Sequence, residues 1–161
     1  MPKNNRKKTA IMPLAIGWLC SHCQITVKNA IISEFMVKII TDNAELTLSV
    51  IPLPRDANMQ GAVFGGWTLQ QLDLAGSVPA RRIAFKTHER AVTKAVNHVD
   101  FLAPIYIGDK VNFYTQVASV GEKSITVHIL VEVERYNNGE KHRAAEAELV
   151  YVRLPRVAKR D

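Results

Sequence analysis

Asp56-Ala57-Asn58-Met59-Gln60-Gly61-Ala62-Val63-Phe64-Gly65-Gly66-Trp67-Thr68-Leu69-Gln70-Gln71-Leu72-Asp73 decides the reading of this chain. A turn-forming, glycine-containing loop runs into Gly65-Gly66 and then into a segment of helical period. On a helix, Leu69, Leu72, Gly76, Ala80 and Ile83 form one inward stripe at three- and four-residue spacing, and Asp73 falls inside it. A carboxylate on an apolar face is costly unless it is paired, hydrogen-bonded or kept for chemistry. The glycine pair at the helix start leaves backbone N–H groups, aided by the helix dipole, open to a ligand oxygen. Oxyanion donors and an inward carboxylate within one short segment suggest an acyl-transfer or hydrolysis site.

On either side the signals are those of strands. Leu46, Leu48 and Val50 alternate with Thr47 and Ser49 up to Pro52 and Pro54, which end the run. The helix is predicted from about Gly66 to Phe85, with Pro79 kinking it or removing one ladder bond. Residues 91–101 read as a strand, and Ala103-Pro104 and Gly108-Asp109 as turns. Val111, Phe113, Thr115 and Val117 then share one face, as do Ile125, Val127, Ile129, Val131 and Val133 after Gly121. Asn137-Asn138-Gly139 signals a hairpin, and Ala145, Ala147 and Leu149 alternate with Glu146 and Glu148 in the last strand. A strand, one long helix and four antiparallel strands predict an α+β fold with the helix laid on a curled antiparallel sheet.

Composition narrows the function classes. The chain has 161 residues, 47% hydrophobic and 22% charged, enough for one core and too apolar for disorder. Its net charge of +6 resides at the ends, leaving 13 basic and 14 acidic side chains between residues 9 and 152. Neither a basic–aromatic interleaving nor a run of 18 apolar residues is found, so no nucleic acid or membrane partner is expected. Cys20 and Cys23 form a single C-x-x-C, with no second pair or spaced histidines to complete a zinc site. They read as two ordinary thiols, and no metal is expected. Residues 1–41 read as an extension, with Met36 a candidate natural start, residues 42–156 as the domain, and 157–161 as a basic tail.

The loop and helix resemble the hotdog-fold acyl-CoA thioesterases, in particular the YciA-like acyl-CoA hydrolases. The family motif is matched by Asn58, Gly61, Phe64-Gly65-Gly66 and Asp73. Trp67, the run from Asp73 to Arg82, Thr93 through Phe101, and Pro104 through Asp109 are similar to that family too. The likeness covers about residues 42–155. Gln60 and Ala62 depart from it where members often carry Asn and Asp. The resemblance implies a double-hotdog dimer assembling to a hexamer, a trimer of dimers. It also implies cytoplasmic hydrolysis of acyl-CoA to free acid and CoA, without a cofactor beyond the CoA of the substrate.

Carried onto this chain, Asp73 is the general base or nucleophile. Asn58 orients water or thioester, and the Gly65 and Gly66 N–H groups polarise the carbonyl. Phe64, Trp67, Thr93, Asn97, Ser124 and Arg82 are the expected substrate-binding residues. Taken alone, Asn58 is a turn residue and Arg82 a favourable helix-end cation. His98 and His128 read as ordinary half-buried histidines. Seven residues separate Gly66 from Asp73, roughly 10 Å along a helix, too far for one carbonyl to meet both. The site is therefore expected to be shared across a two-fold dimer. A non-catalytic acyl-CoA sensor of the same fold is the alternative. A hotdog dehydratase would need a His and Glu arrangement that is not found.

Overall fold

The computed structural model describes residues 43–156. The expectations for residues 1–41, including the C-x-x-C, and for the tail from 157 lie outside the described residues. Strand β1 (Glu45–Val50) leads through a short 3-10 turn (Pro54–Asp56) to helix α1 (Gly65–Lys86). Strands β2 (Glu89–Phe101), β3 (Lys110–Val120), β4 (Ser124–Glu134) and β5 (Lys141–Pro155) follow. They form one antiparallel sheet in the order β1-β3-β4-β5-β2, with α1 packed on one face. This is the expected α+β hotdog arrangement.

Period-two alternation places the core. Ile125, Val127, Ile129, Val131 and Val133 of β4 are buried beneath α1, alongside Ala145, Ala147, Leu149 and Tyr151 of β5. Each large side chain among them contributes about 1.5–3 kcal/mol of transfer free energy. The matching face of α1 is made of small residues: Thr68, Leu72, Ala75, Gly76, Pro79, Ala80 and Ala84 are all buried. Small side chains bring the helix axis close to the sheet.

The helix face differs from the expected stripe at one position. Leu69 is 41% exposed. The buried face follows the four-residue row 68-72-76-80-84, inclined to the helix axis, together with Ala75 and Pro79 beside it, and Leu69 lies on the other side of that row. Pro79 leaves α1 unbroken from Gly65 to Lys86 and is itself buried. Its missing N–H deprives the Ala75 carbonyl of its ladder donor.

One buried ion pair shapes the loops beside the helix N-terminus. Asp109 Oδ2 accepts from Arg135 Nη1 at 2.6 Å and from the Tyr106 backbone N–H at 2.9 Å. Its Oδ1 accepts from the Tyr136 N–H at 3.3 Å. The Arg135 guanidinium also lies 5.1 Å from the Tyr106 ring centroid, within cation–π range. The β2–β3 connection is thereby fastened to the β4–β5 hairpin, whose Gly139 takes the left-handed backbone at φ 70°.

Candidate active site

The glycine pair opens α1. Phe64 is the N-cap, and its extended backbone supplies no side-chain cap. Its carbonyl accepts from the Trp67 and Thr68 N–H groups, while its own N–H donates to the Asp56 carbonyl at 3.0 Å. The Gly65 and Gly66 N–H groups have no acceptor among the described residues. A Cβ at Gly66 would meet nothing within 4 Å, and one at Gly65 would lie 3.4 Å from the Phe101 ring. Gly66 thus leaves room for a ligand group, and Gly65 lies under an aromatic wall.

Beside that wall runs a cleft of about 320 Å³, lined by Val63, Gly65, Thr68, Phe101, Leu102 and Ile105 among others. Gly65 brings the positive end of the helix dipole to the wall of this cleft, where an oxyanion is favoured. A larger cleft of about 440 Å³ lies by the β4–β5 hairpin, but the cation there, Arg135, is already committed to Asp109.

Asn58 fixes the loop ahead of the helix. Its Oδ1 accepts from the Gln60 and Ala62 N–H groups at 2.8 and 3.2 Å, and Gly61 turns the chain at φ 84°. The turn role and the motif role are thus compatible: the carbonyl end builds the loop, and the Nδ2 end keeps its donors unused among the described residues.

Asp73 lies two turns along α1, half-buried, and does not line the cleft. Thr93 Oγ1 on β2 donates to Asp73 Oδ1. The structure therefore separates the expected residues into two groups within one chain. Phe64, Gly65 and Gly66 stand together at the start of the helix, where Gly65 lines the cleft, while Asp73 and Thr93 meet further along the helix. Trp67 is half-buried against the core.

The remaining expected binding residues join neither group. Arg82 is engaged by Glu45 of β1, whose carboxyl it holds below the usual range by a hydrogen bond. Asn97 Nδ2 donates to Glu148 Oε1 at 2.8 Å, and Ser124 lies at the β3–β4 turn. His128 Nε2 is 2.9 Å from Glu148 Oε2, half-buried as expected, whereas His98 is exposed beside Asp100. Asn97 and His128 together hold the Glu148 carboxyl below its ordinary range.

Sequence reasoning missed Tyr151. Its side chain is buried, and its OH donates to the Asp73 backbone carbonyl at 3.1 Å. The available signal was Gly76, a glycine inside the inward stripe: a Cβ there would lie 2.5 Å from the Tyr151 Oη.

Comparison with known proteins fixes the family. Residues 60–137 match the thioesterase superfamily. The acyl-CoA thioester hydrolase YciA of Salmonella typhimurium is 36% identical over 115 residues, covering 70% of this chain and 84% of that one. The chain belongs to the YciA-like acyl-CoA thioester hydrolases. Solved structures of similar chains have the same fold. A hexameric thioesterase from Yersinia pestis superposes with a TM-score of 0.63 at 39% identity, covering 68% of this chain and 87% of that one. A hexameric hotdog-fold thioesterase of Campylobacter jejuni gives 0.64 at 35% identity, covering 68% and 83%.

Proposed function

We propose that this YciA-like protein hydrolyses acyl-CoA thioesters to a carboxylic acid and CoA, at a site shared by two subunits. The observation that carries the reading is the free Gly65 and Gly66 N–H pair at the helix start, beside a cleft that Gly65 lines, with a half-buried carboxylate on the same helix. The N–H groups polarise the thioester carbonyl and hold the oxyanion once it forms. Asp73 takes a proton from water as the water oxygen bonds to the carbonyl carbon, or attacks that carbon itself, expelling the CoA thiolate and forming a mixed anhydride that water hydrolyses, its released proton going to the thiolate. On the water route the tetrahedral intermediate collapses with cleavage of the carbon–sulfur bond. The proton then passes to the departing CoA sulfur. The only cofactor group involved is the CoA of the substrate, and no metal takes part. Asn58 Nδ2 is the donor best placed to orient water or thioester from the loop.

The separation of the two groups argues for the dimer. A carbonyl held at Gly66 is roughly 10 Å along the helix from Asp73 of the same chain. A two-fold axis places Asp73 of one subunit against the glycines of the other. Strand β2 supports this, because it is a 13-residue sheet edge with Val96 and Phe101 more than half exposed. An edge of that length is an aggregation hazard unless something covers it. Three such dimers would form a hexamer, the state of the Yersinia pestis and Campylobacter jejuni relatives.

Free-thiol release from acetyl-, butyryl- and palmitoyl-CoA tests the reading and gives the chain-length preference. Release from at least one is expected. Tight acyl-CoA binding without release from any would favour the non-catalytic sensor instead.

A further inference from the structure

We infer that Tyr151, working through Gly76, is a positioning residue for Asp73. This rests on the hydrolase reading above. The reason begins with the helix itself. Pro79 cannot donate to the Ala75 carbonyl, so the turn that follows Asp73 is less well held by its own ladder. Two side-chain donors brace the carbonyls just before it, one from the helix itself and one from the sheet. Ser77 Oγ donates back to the Leu74 carbonyl at 2.7 Å, and Tyr151 reaches up from β5 to the Asp73 carbonyl. A carbonyl oxygen has two lone pairs, so Tyr151 adds to the ladder rather than replacing it.

The sheet register couples this bond to the carboxylate. Tyr151 on β5 and Thr93 on β2 are direct cross-strand partners. One holds the backbone of Asp73 and the other its side chain. The two bonds make a clamp from adjacent strands, so a shift of the helix turn at the Tyr151 end displaces the carboxylate from Thr93. Burial pushes the Tyr151 hydroxyl well above its ordinary range, with the Asp73 charge acting in the same direction. It stays protonated, and hence a donor, across the working pH range. Gly76 is the complementary half: a Cβ there would lie 2.5 Å from Tyr151 Oη and 2.9 Å from Ile129 Cδ1. Real Cβ atoms do not approach that closely, so the phenol reaches the carbonyl only past a glycine.

The test compares parent, Tyr151→Phe, Asp73→Asn and the double variant, with butyryl-CoA as substrate and thermal melts alongside. Tyr151→Phe should lower kcat about tenfold with KM within about twofold, and cost nothing further in the Asp73→Asn background. Equal losses in both backgrounds, or no loss in either, would overturn the proposal. A second readout is independent of turnover: in a crystal structure of Tyr151→Phe the Asp73 carboxylate should sit beyond hydrogen-bond distance of Thr93 Oγ1, because the helix turn has lost its tie to β5. A carboxylate still bonded to Thr93 overturns the proposal even in a chain that hydrolyses nothing, whereas absent thiol release alone overturns only the hydrolase reading. Should Tyr151→Phe fail to fold, Gly76→Ala pushes the phenol aside and must give the same displacement.

Discussion

Thr93, on the edge strand, holds the carboxylate of Asp73 on the central helix through a side-chain hydrogen bond. The two residues are 20 apart in sequence, and only the antiparallel return of β2 along α1 brings them together. The bond lies at an exposed position and adds little to folding stability, but it selects one orientation of the carboxylate. Thr93→Val keeps the β-branched shape and removes the hydroxyl. Its kcat should fall by about 10-fold or more, with melting temperature nearly unchanged, in a steady-state thiol-release assay.

The shared site predicts rescue between two inactive proteins. Gly66→Pro deletes one oxyanion donor in the first helical turn, where proline is tolerated and where the space around the Cβ is open. Its kcat should drop about 10²–10³-fold. Co-refolded with Asp73→Asn protein, it should recover about a quarter of parent activity, since half the dimers are mixed and each mixed dimer has one intact site. A site contained within one chain would show no recovery.

Most of the fold was legible in the sequence, and of the candidate site the residues whose arrangement is local. Strands β4 and β5 were legible because mainly one face of each is buried, which enforces alternation such as Ile125 to Val133, and β3 because its apolar residues alternate even though Asn112 is buried on the other face. The helix was legible from its period, but its packing row was not: Leu69 and Thr68 are neighbours in sequence, and only the tilt of the helix on the sheet decides between them. Gly65, Gly66 and Asp73 were readable because their chemistry is local. The Thr93 contact and the Tyr151 bond come from strand pairing at long range, which residue spacing does not encode. Arg82 and Asn97 look like free ligand-binding groups in a sequence, but Glu45 and Glu148 already occupy them.

Asp109 predicts a stability effect remote from chemistry. It is 3% exposed and holds Arg135 and two backbone N–H groups. Asp109→Ala leaves the largely buried Arg135 guanidinium without its counter-charge, which costs about 3–5 kcal/mol. Denaturant unfolding should show that loss as a lower midpoint with an unchanged slope.

Glu148 predicts a pH effect. Its carboxyl is held below its ordinary value of 4.5 by Asn97 first and His128 second. A carboxyl depressed in the folded state stabilises above its unfolded pKa, and that contribution is lost as pH falls through the folded value. The melting temperature of the parent should therefore drop more steeply below about pH 4.5 than that of Glu148→Gln. At neutral pH the variant should melt lower than the parent.

The central claim is that Asp73 performs the chemistry, and the kcat of Asp73→Asn tests it most directly. The substitution keeps size and hydrogen-bonding reach, including an oxygen for Thr93, while removing both base and nucleophile. The kcat for acyl-CoA hydrolysis should fall by about 10²-fold or more, with acyl-CoA affinity and melting temperature close to the parent. Hydrolysis at the parent rate would make Asp73 a structural carboxylate and would contradict the account.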